Sequence, residues 1–206
     1  MSDDIDNNPI KILLLGGTNV GKSNLIRIAT GRPFENEPLF IPNQYYDDSI
    51  IINNKRYSYN VWDTEGGENF RSLTKIFFNG SQIVLIVFSM TNKHSFEEID
   101  YWYKTTKEIL GEDGYIIALV GNKSDLFESH ELSYEEIDKK ANELNIKYKI
   151  TSAKEDSVGF KLFFDQLLEE LINKKNKDNS GEIKTSIKLE NEKEKFNGKS
   201  KNKCKN

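Results

Sequence analysis

Short apolar runs alternate with stretches of helical spacing along most of this chain, and polar clusters separate them. Runs rich in Ile, Val, Leu and Tyr predict strands at Ile10–Leu15, Tyr45–Ile52, Tyr57–Trp62, Ile83–Ser89, Ile116–Gly121 and Ile146–Ile150. Apolar positions three and four apart predict helices at Lys22–Gly31, Phe70–Asn79, His94–Leu110, Tyr134–Leu144 and Gly159–Asn173. Ser133 with Glu136 three residues on fits a capping box, and Gly111 stands where the third helix should stop. Asn53–Asn54, between Ile50–Ile52 and Arg56–Val61, reads as a hairpin turn that supplies one antiparallel edge. Phe160, Phe163, Phe164, Leu167, Leu168 and Leu171 share one face of the last helix, a core stripe rather than a cofactor site. Strand and helix in alternation predict an α/β fold: six strands, mostly parallel, with about five helices over both faces.

From Lys174 the periodicity ends and Lys, Glu, Asn and Ser dominate. The expected organisation is a flexible N-terminus (1–8), one domain (9–173) and a disordered tail (174–206). That tail holds eleven Lys against five acidic residues, net +6, so of the chain's −4 the remainder carries −10. An acidic body argues against nucleic-acid binding, which wants a basic face. A basic tail suits an anionic cytoplasmic membrane surface, at about 1 kcal/mol per Lys close to it. The single cysteine, Cys204, excludes an internal disulfide and points to a reducing cytosol. The start MSDDIDNN is no signal peptide, and no apolar run is long enough to span a membrane. His94 and His130 lie in polar stretches and read as surface residues.

Candidate chemistry begins with GGTNVGKS at Gly16–Ser23, which fits G-x-x-x-x-G-K-[ST] between a predicted strand and a predicted helix. Its glycines let the backbone wrap phosphates, the amides of Asn19, Val20, Gly21, Lys22 and Ser23 point at them, and the helix start adds positive potential. Lys22 is expected to reach the β and γ phosphates, and the Ser23 hydroxyl to ligate Mg²⁺. NKSD at Asn122–Asp125 names the base: a carboxylate at Asp125 accepts from two donors that guanine has and adenine lacks. Lys123 is expected to cover the base plane, and Asn122 to tie its loop to the phosphate loop. TSAK at Thr151–Lys154 follows the last strand, where the Ala153 amide can bond the guanine oxygen. Thr18, Asn24, Ser152 and Lys154 complete the pocket expected from these motifs.

With DTEG at Asp63–Gly66, these motifs make the chain resemble a Ras-superfamily small GTPase of the Rab branch, from about Ile10 to Leu171. FRSLT at Phe70–Thr74 and the pair Phe77–Phe78 before Asn79–Gly80 are its more Rab-like parts. The resemblance implies a P-loop G domain that binds GTP or GDP with Mg²⁺, held by Ser23 and, through water, by Asp63. It places Phe34 near the guanine, adds Gly66 to the pocket, and puts a partner-reading aromatic triad at Tyr45, Trp62 and Phe77. It also implies effectors and an exchange factor acting at the switch regions, a monomer, and attachment to the cytosolic face of an intracellular membrane. Cys204 is then the expected prenylation site, although Cys-Lys-Asn is neither a C-a-a-X ending nor a cysteine pair. One lipid plus a basic stretch supplies the two signals that stable anchoring needs.

Two segments, DTEGGE and switch I, depart from the family's pattern. DTAGQE appears as DTEGGE, so Gly67 stands where a Gln orients the attacking water, and Glu65 where a small Ala lies beside the γ phosphate. The switch I Thr that ligates Mg²⁺ is absent: no Thr occurs between Gly31 and Asp63, and spacing puts Phe40 or Ile41 there. GDP binding is expected to survive and hydrolysis to be slow, with no catalytic residue assigned, since neither Glu65 nor Glu68 has a motif behind it. The rival reading is a guanine-nucleotide-binding interaction module that hardly hydrolyses or switches. A P-loop kinase acting on a small molecule shares only the phosphate loop, and NKSD and TSAK weigh against it.

Overall fold

The run Ile83–Ser89 is buried at every position, as a parallel strand covered by helices on both faces must be. The computed structural model describes residues 5–36, 45–64, 66 and 77–177. In chain order its strands are β1 (Ile5–Leu15), β2 (Tyr45–Ile52), β3 (Lys55–Asp63), β4 (Ile83–Ser89), β5 (Ile116–Asn122) and β6 (Lys147–Ile150). The helices are α1 (Lys22–Ala29), α2 (Lys93–Glu97), α3 (Ile99–Leu110), α4 (Tyr134–Leu144) and α5 (157–177). One sheet runs β2-β3-β1-β4-β5-β6, parallel throughout except for the β2–β3 hairpin. Asn53 and Asn54 turn that hairpin at φ 52° and 62°, the left-handed pair a tight two-residue turn demands.

Local chemistry sets most boundaries where the sequence put them. Ser133 Oγ accepts from the Glu136 amide while Glu136 accepts from the Ser133 amide, closing the capping box of α4. Gly111 ends α3 at φ 84°. The core gathers Leu13, Leu15, Val84, Ile86, Phe88 and Leu119 from the central strands against Ile99, Trp102 and Ile137 from α3 and α4.

Elsewhere the structure differs. β1 begins at Ile5, five residues early, because Ile5 and Asp6 pair with Arg56 and Tyr57 across a register shift that the polar Asp6–Asn8 hides. α1 stops at Ala29 rather than Gly31, capped at Thr30. The single helix expected over His94–Leu110 is divided at Glu98, although Glu98 and Trp102 still donate to His94 and Glu98 across the junction. Phe127–Ser129 forms a 3₁₀ turn that the sequence pattern did not announce. Of the helix expected at Phe70–Asn79, residues 77–79 are described: 77 and 78 are helical, and Asn79 already lies in a turn. His130 is half-buried with its Nε2 shielded from solvent, not the surface residue expected.

The chain divides into two compact units, Met1–Leu168 and Glu169–Asn206. The first holds the sheet, with Phe160, Phe164, Leu167 and Leu168 of α5 buried and Phe163 half-buried. In the second the described residues, 169–177, are helical, with Leu171 and Ile172 buried.

Candidate functional site

Loops after β1, β3, β5 and β6 all emerge at the carboxyl edge of the parallel strands, where open α/β sheets place ligands. Together they border a cavity of about 780 Å³. All four motifs singled out in the sequence therefore converge on one place.

The loop after β1 curves through Asn19 at φ 59° and Gly21 at φ 98°. Only glycine fits at 21, where an added Cβ would lie 2.2 Å from the Asn122 amide nitrogen. Gly21 is also the N-cap of α1, so that helix starts without a side-chain cap and without an acidic residue in its first turn. α4, by contrast, has its capping box and two glutamates. Gly21, Lys22 and Ser23 border the cavity, so the positive end of α1 opens toward an anion there. The buried Lys22 ammonium donates to the Gly16 and Gly17 carbonyls at 2.9 and 2.8 Å.

Beside it, Ser23 Oγ donates to Asp63 Oδ2 at 2.6 Å. Asp63 is buried, and its Oδ1 has no hydrogen-bond partner. Burial pushes the Asp63 carboxyl above the usual carboxylate range, against the pull of the Ser23 bond and the Lys22 charge. A buried, half-satisfied carboxylate next to a hydroxyl fits Mg²⁺, which takes one or two carboxylates and completes its shell with water and substrate phosphates. Among the described residues no group of three or more His, Cys, Asp or Glu offers an all-protein alternative.

Gly66 lies against the phosphate loop. A Cβ there would sit 2.3 Å from the Gly17 oxygen, and Thr18 Oγ1 donates to the Gly66 carbonyl at 2.6 Å. Thr64 Oγ1 donates to the Leu14 carbonyl, fixing the turn out of β3.

On the far side, Asn122 is the hub. Its Nδ2 donates to the Val20 carbonyl at 2.8 Å and its Oδ1 accepts from the Ala153 amide at 3.0 Å. The expected tie between loops is present, but the Ala153 amide, expected to face a guanine oxygen, is spent on Asn122. Ser152 Oγ donates to Asp125 Oδ1 at 2.6 Å and accepts from the Lys154 and Glu155 amides. Lys123 is held at φ 64°, a left-handed conformation that costs a non-glycine residue about 1–2 kcal/mol. Such strain persists where the surroundings impose it, typically at binding sites.

Thr18, Asn19, Gly21, Lys22, Ser23, Asn24, Phe34, Asp63, Gly66, Asn122, Lys123, Asp125, Ala153 and Lys154 all border the cavity. Gly16, Val20 and Ser152 stand behind it, acting through the bonds just described. Sequence reasoning missed Asn36, Thr64 and Leu126 as lining residues. Thr64 and Leu126 directly follow the assigned Asp63 and Asp125 and were in reach; Asn36 carried no signal. Tyr45, Trp62 and Phe77 do come together: ring centroids are 4.9 Å apart for Tyr45–Trp62 and 5.6 Å for Trp62–Phe77. Lys11 Nζ stands 4.7 Å from the Trp62 ring centre. Phe40, Ile41, Glu65, Gly67, Glu68, Phe70–Thr74 and Cys204 lie outside the described residues.

A model of the Ras family matches residues 11–173. Ras-related protein RabC of Dictyostelium discoideum is 35% identical over 166 residues, 78% of this chain and 83% of its own. GTP-binding protein ypt3 of Schizosaccharomyces pombe is 34% identical over 71% of this chain and 69% of its own. Ras-related protein SEC4 of Saccharomyces cerevisiae is 34% identical over 79% and 76% respectively.

Proposed function

This chain belongs to the Ras family, as a Rab-like small GTPase, and on that premise we propose that it is a GTP- and GDP-binding regulator of vesicle traffic with slow intrinsic hydrolysis. The observation that carries the reading is one cavity bordered both by the uncapped start of α1 and by Asp125, whose carboxylate Ser152 holds in place. The first feature suits phosphates and the second suits a guanine edge.

In this reading Gly16–Ser23 cradles the phosphates, with Lys22 turning from the loop carbonyls to the phosphate charge. Asp125 and Lys123 bind the base, Phe34 flanks it, and Asn122, Ser152 and Lys154 keep the base loops in place. Ser23 and Asp63 would hold Mg²⁺, which neutralises phosphate charge. Effectors and the exchange factor read the switch regions and the Tyr45–Trp62–Phe77 patch. The basic tail and Cys204 attach the chain to the cytosolic face of an intracellular membrane. Among the described residues, no helix is long and apolar enough to cross one.

The test is the dissociation constant of GDP and of a non-hydrolysable GTP analogue, each with Mg²⁺ and with EDTA. Tight, Mg²⁺-dependent values for both are expected, and Asp63→Asn should remove most of the Mg²⁺ dependence. GDP held tightly beside a far weaker GTP analogue would leave only the rival, a GDP-held interaction module. The loss of the switch I Thr and the DTEGGE sequence favour that rival.

Hydrolysis gives a separate prediction. With a water-orienting Gln, intrinsic rates of such enzymes are on the order of 10⁻⁴ s⁻¹. Gly67 has no side chain to take that role, so single-turnover assays should return a slower rate. A value at or above the reference would show that another group orients the water.

A further inference from the structure

Phe34 borders the cavity from a segment that is neither helix nor strand, so something else must fix its place. Helix α1 does so with two side chains. Asn24 Nδ2 donates to the Glu35 carbonyl at 2.7 Å, and Asn24 Oδ1 accepts from the Glu35 amide at 3.0 Å. One turn further, Arg27 Nε donates to the Pro33 carbonyl at 2.8 Å, and its guanidinium pairs with the Glu35 carboxylate. The residues on both sides of Phe34 are therefore clamped to the helix that the phosphate loop opens into. Asn24 is one of the pocket residues expected from the sequence, and both ends of its side-chain amide are engaged by the backbone of Glu35.

We propose that Asn24 and Arg27 are positioning residues that hold Phe34 at the cavity and so set how long a guanine nucleotide stays bound. The inference rests on the reading above. It adds a mechanical link: a helix anchored at its start by phosphates holds, from its own side, the aromatic beside the base. Anything that tilts or frays α1 loosens both ends of the nucleotide together.

Simple packing predicts something different. Glu35 is exposed, so water takes over its amide and carbonyl once Asn24 is truncated, and the fold loses little. What is lost is the placement of Phe34. The test follows release of radiolabelled GDP from the full chain in Mg²⁺, for wild type, Asn24→Ala, Arg27→Ala and Phe34→Ala, and for each truncation combined with Phe34→Ala. Asn24→Ala should release GDP about tenfold faster, the equivalent of one net hydrogen bond. Arg27→Ala, whose bonds lie at the surface, should act in the same direction by a few-fold. In the Phe34→Ala background neither truncation should add anything, because residues acting through one relay are not additive.

An Asn24→Ala chain that keeps GDP as long as wild type overturns the inference, as does an effect that multiplies with Phe34→Ala. Should Asn24→Ala fail to fold, Arg27→Ala decides alone, by the same two criteria. A wild-type chain that does not retain GDP sinks the parent reading and the inference with it, an outcome distinct from either of these.

Discussion

Replacing Asn122 by alanine should lower the stability of the nucleotide-free chain by about 3 kcal/mol and weaken GDP binding by more than a hundredfold. The side chain is buried and answers two backbone groups on separate loops, the Val20 carbonyl and the Ala153 amide. Val20 and Ala153 are themselves buried, so water cannot readily replace what alanine removes. An unanswered buried donor or acceptor costs about 1–3 kcal/mol, and here there are two. Binding falls further because the phosphate loop and the base loops lose their common strut, and a misplaced contact is worth little in either. Asn122→Asp is the sharper variant. It keeps the volume and the bond from Ala153, but it turns the donor facing Val20 into a charged acceptor, oxygen against oxygen. It should be at least as damaging as alanine, although isosteric. Urea midpoints and GDP titrations read both effects, and an Asn122→Ala chain within about 1 kcal/mol of wild type would show that the loops stand without the strut.

The sheet was legible because its physics is local to each strand. Ile83–Ser89 and Ile116–Gly121 are apolar without alternation, which requires cover on both faces, and the capping box at Ser133 marks its own helix start. The first strand was read short because polar Asp6–Asn8 interrupt the apolar run, and its extension depends on pairing with Arg56 and Tyr57, fifty residues away. The site was legible where residues belong to a fixed motif, as in Gly16–Ser23 and NKSD, most of whose residues line one cavity. It was not legible where residues contact one another. The bond of Ala153 to Asn122, the seat of Gly66 on Gly17 and the clamp from Asn24 to Glu35 are juxtapositions of loops. No spacing rule encodes them, because the chain separations vary while the contact is made in space.

Changing Asp125 to asparagine should reverse base preference rather than abolish binding. Ser152 Oγ accepts from the amides of Lys154 and Glu155, so its own hydrogen is directed to Asp125 Oδ1. That hydroxyl therefore dictates which way an asparagine amide turns: its oxygen takes the Ser152 hydrogen, and its NH₂ takes the place of Oδ2. Where the carboxylate offered two acceptors to the ring N–H and amino group of guanine, the amide offers one acceptor and one donor. Guanine then meets donor against donor, whereas xanthine, with a carbonyl in place of the amino group, is matched. A site built on such bonds discriminates by roughly 10⁴-fold, so GDP affinity should fall by about that factor while xanthosine diphosphate binds in its place. Competition between the two diphosphates on wild type and Asp125→Asn measures the reversal directly. Ser152→Ala makes the argument specific: without the hydroxyl the amide is free to turn, and in the double variant the preference for xanthine should shrink. If Asp125→Asn keeps GDP within about tenfold of wild type, Asp125 is not reading the base and the guanine assignment falls with it.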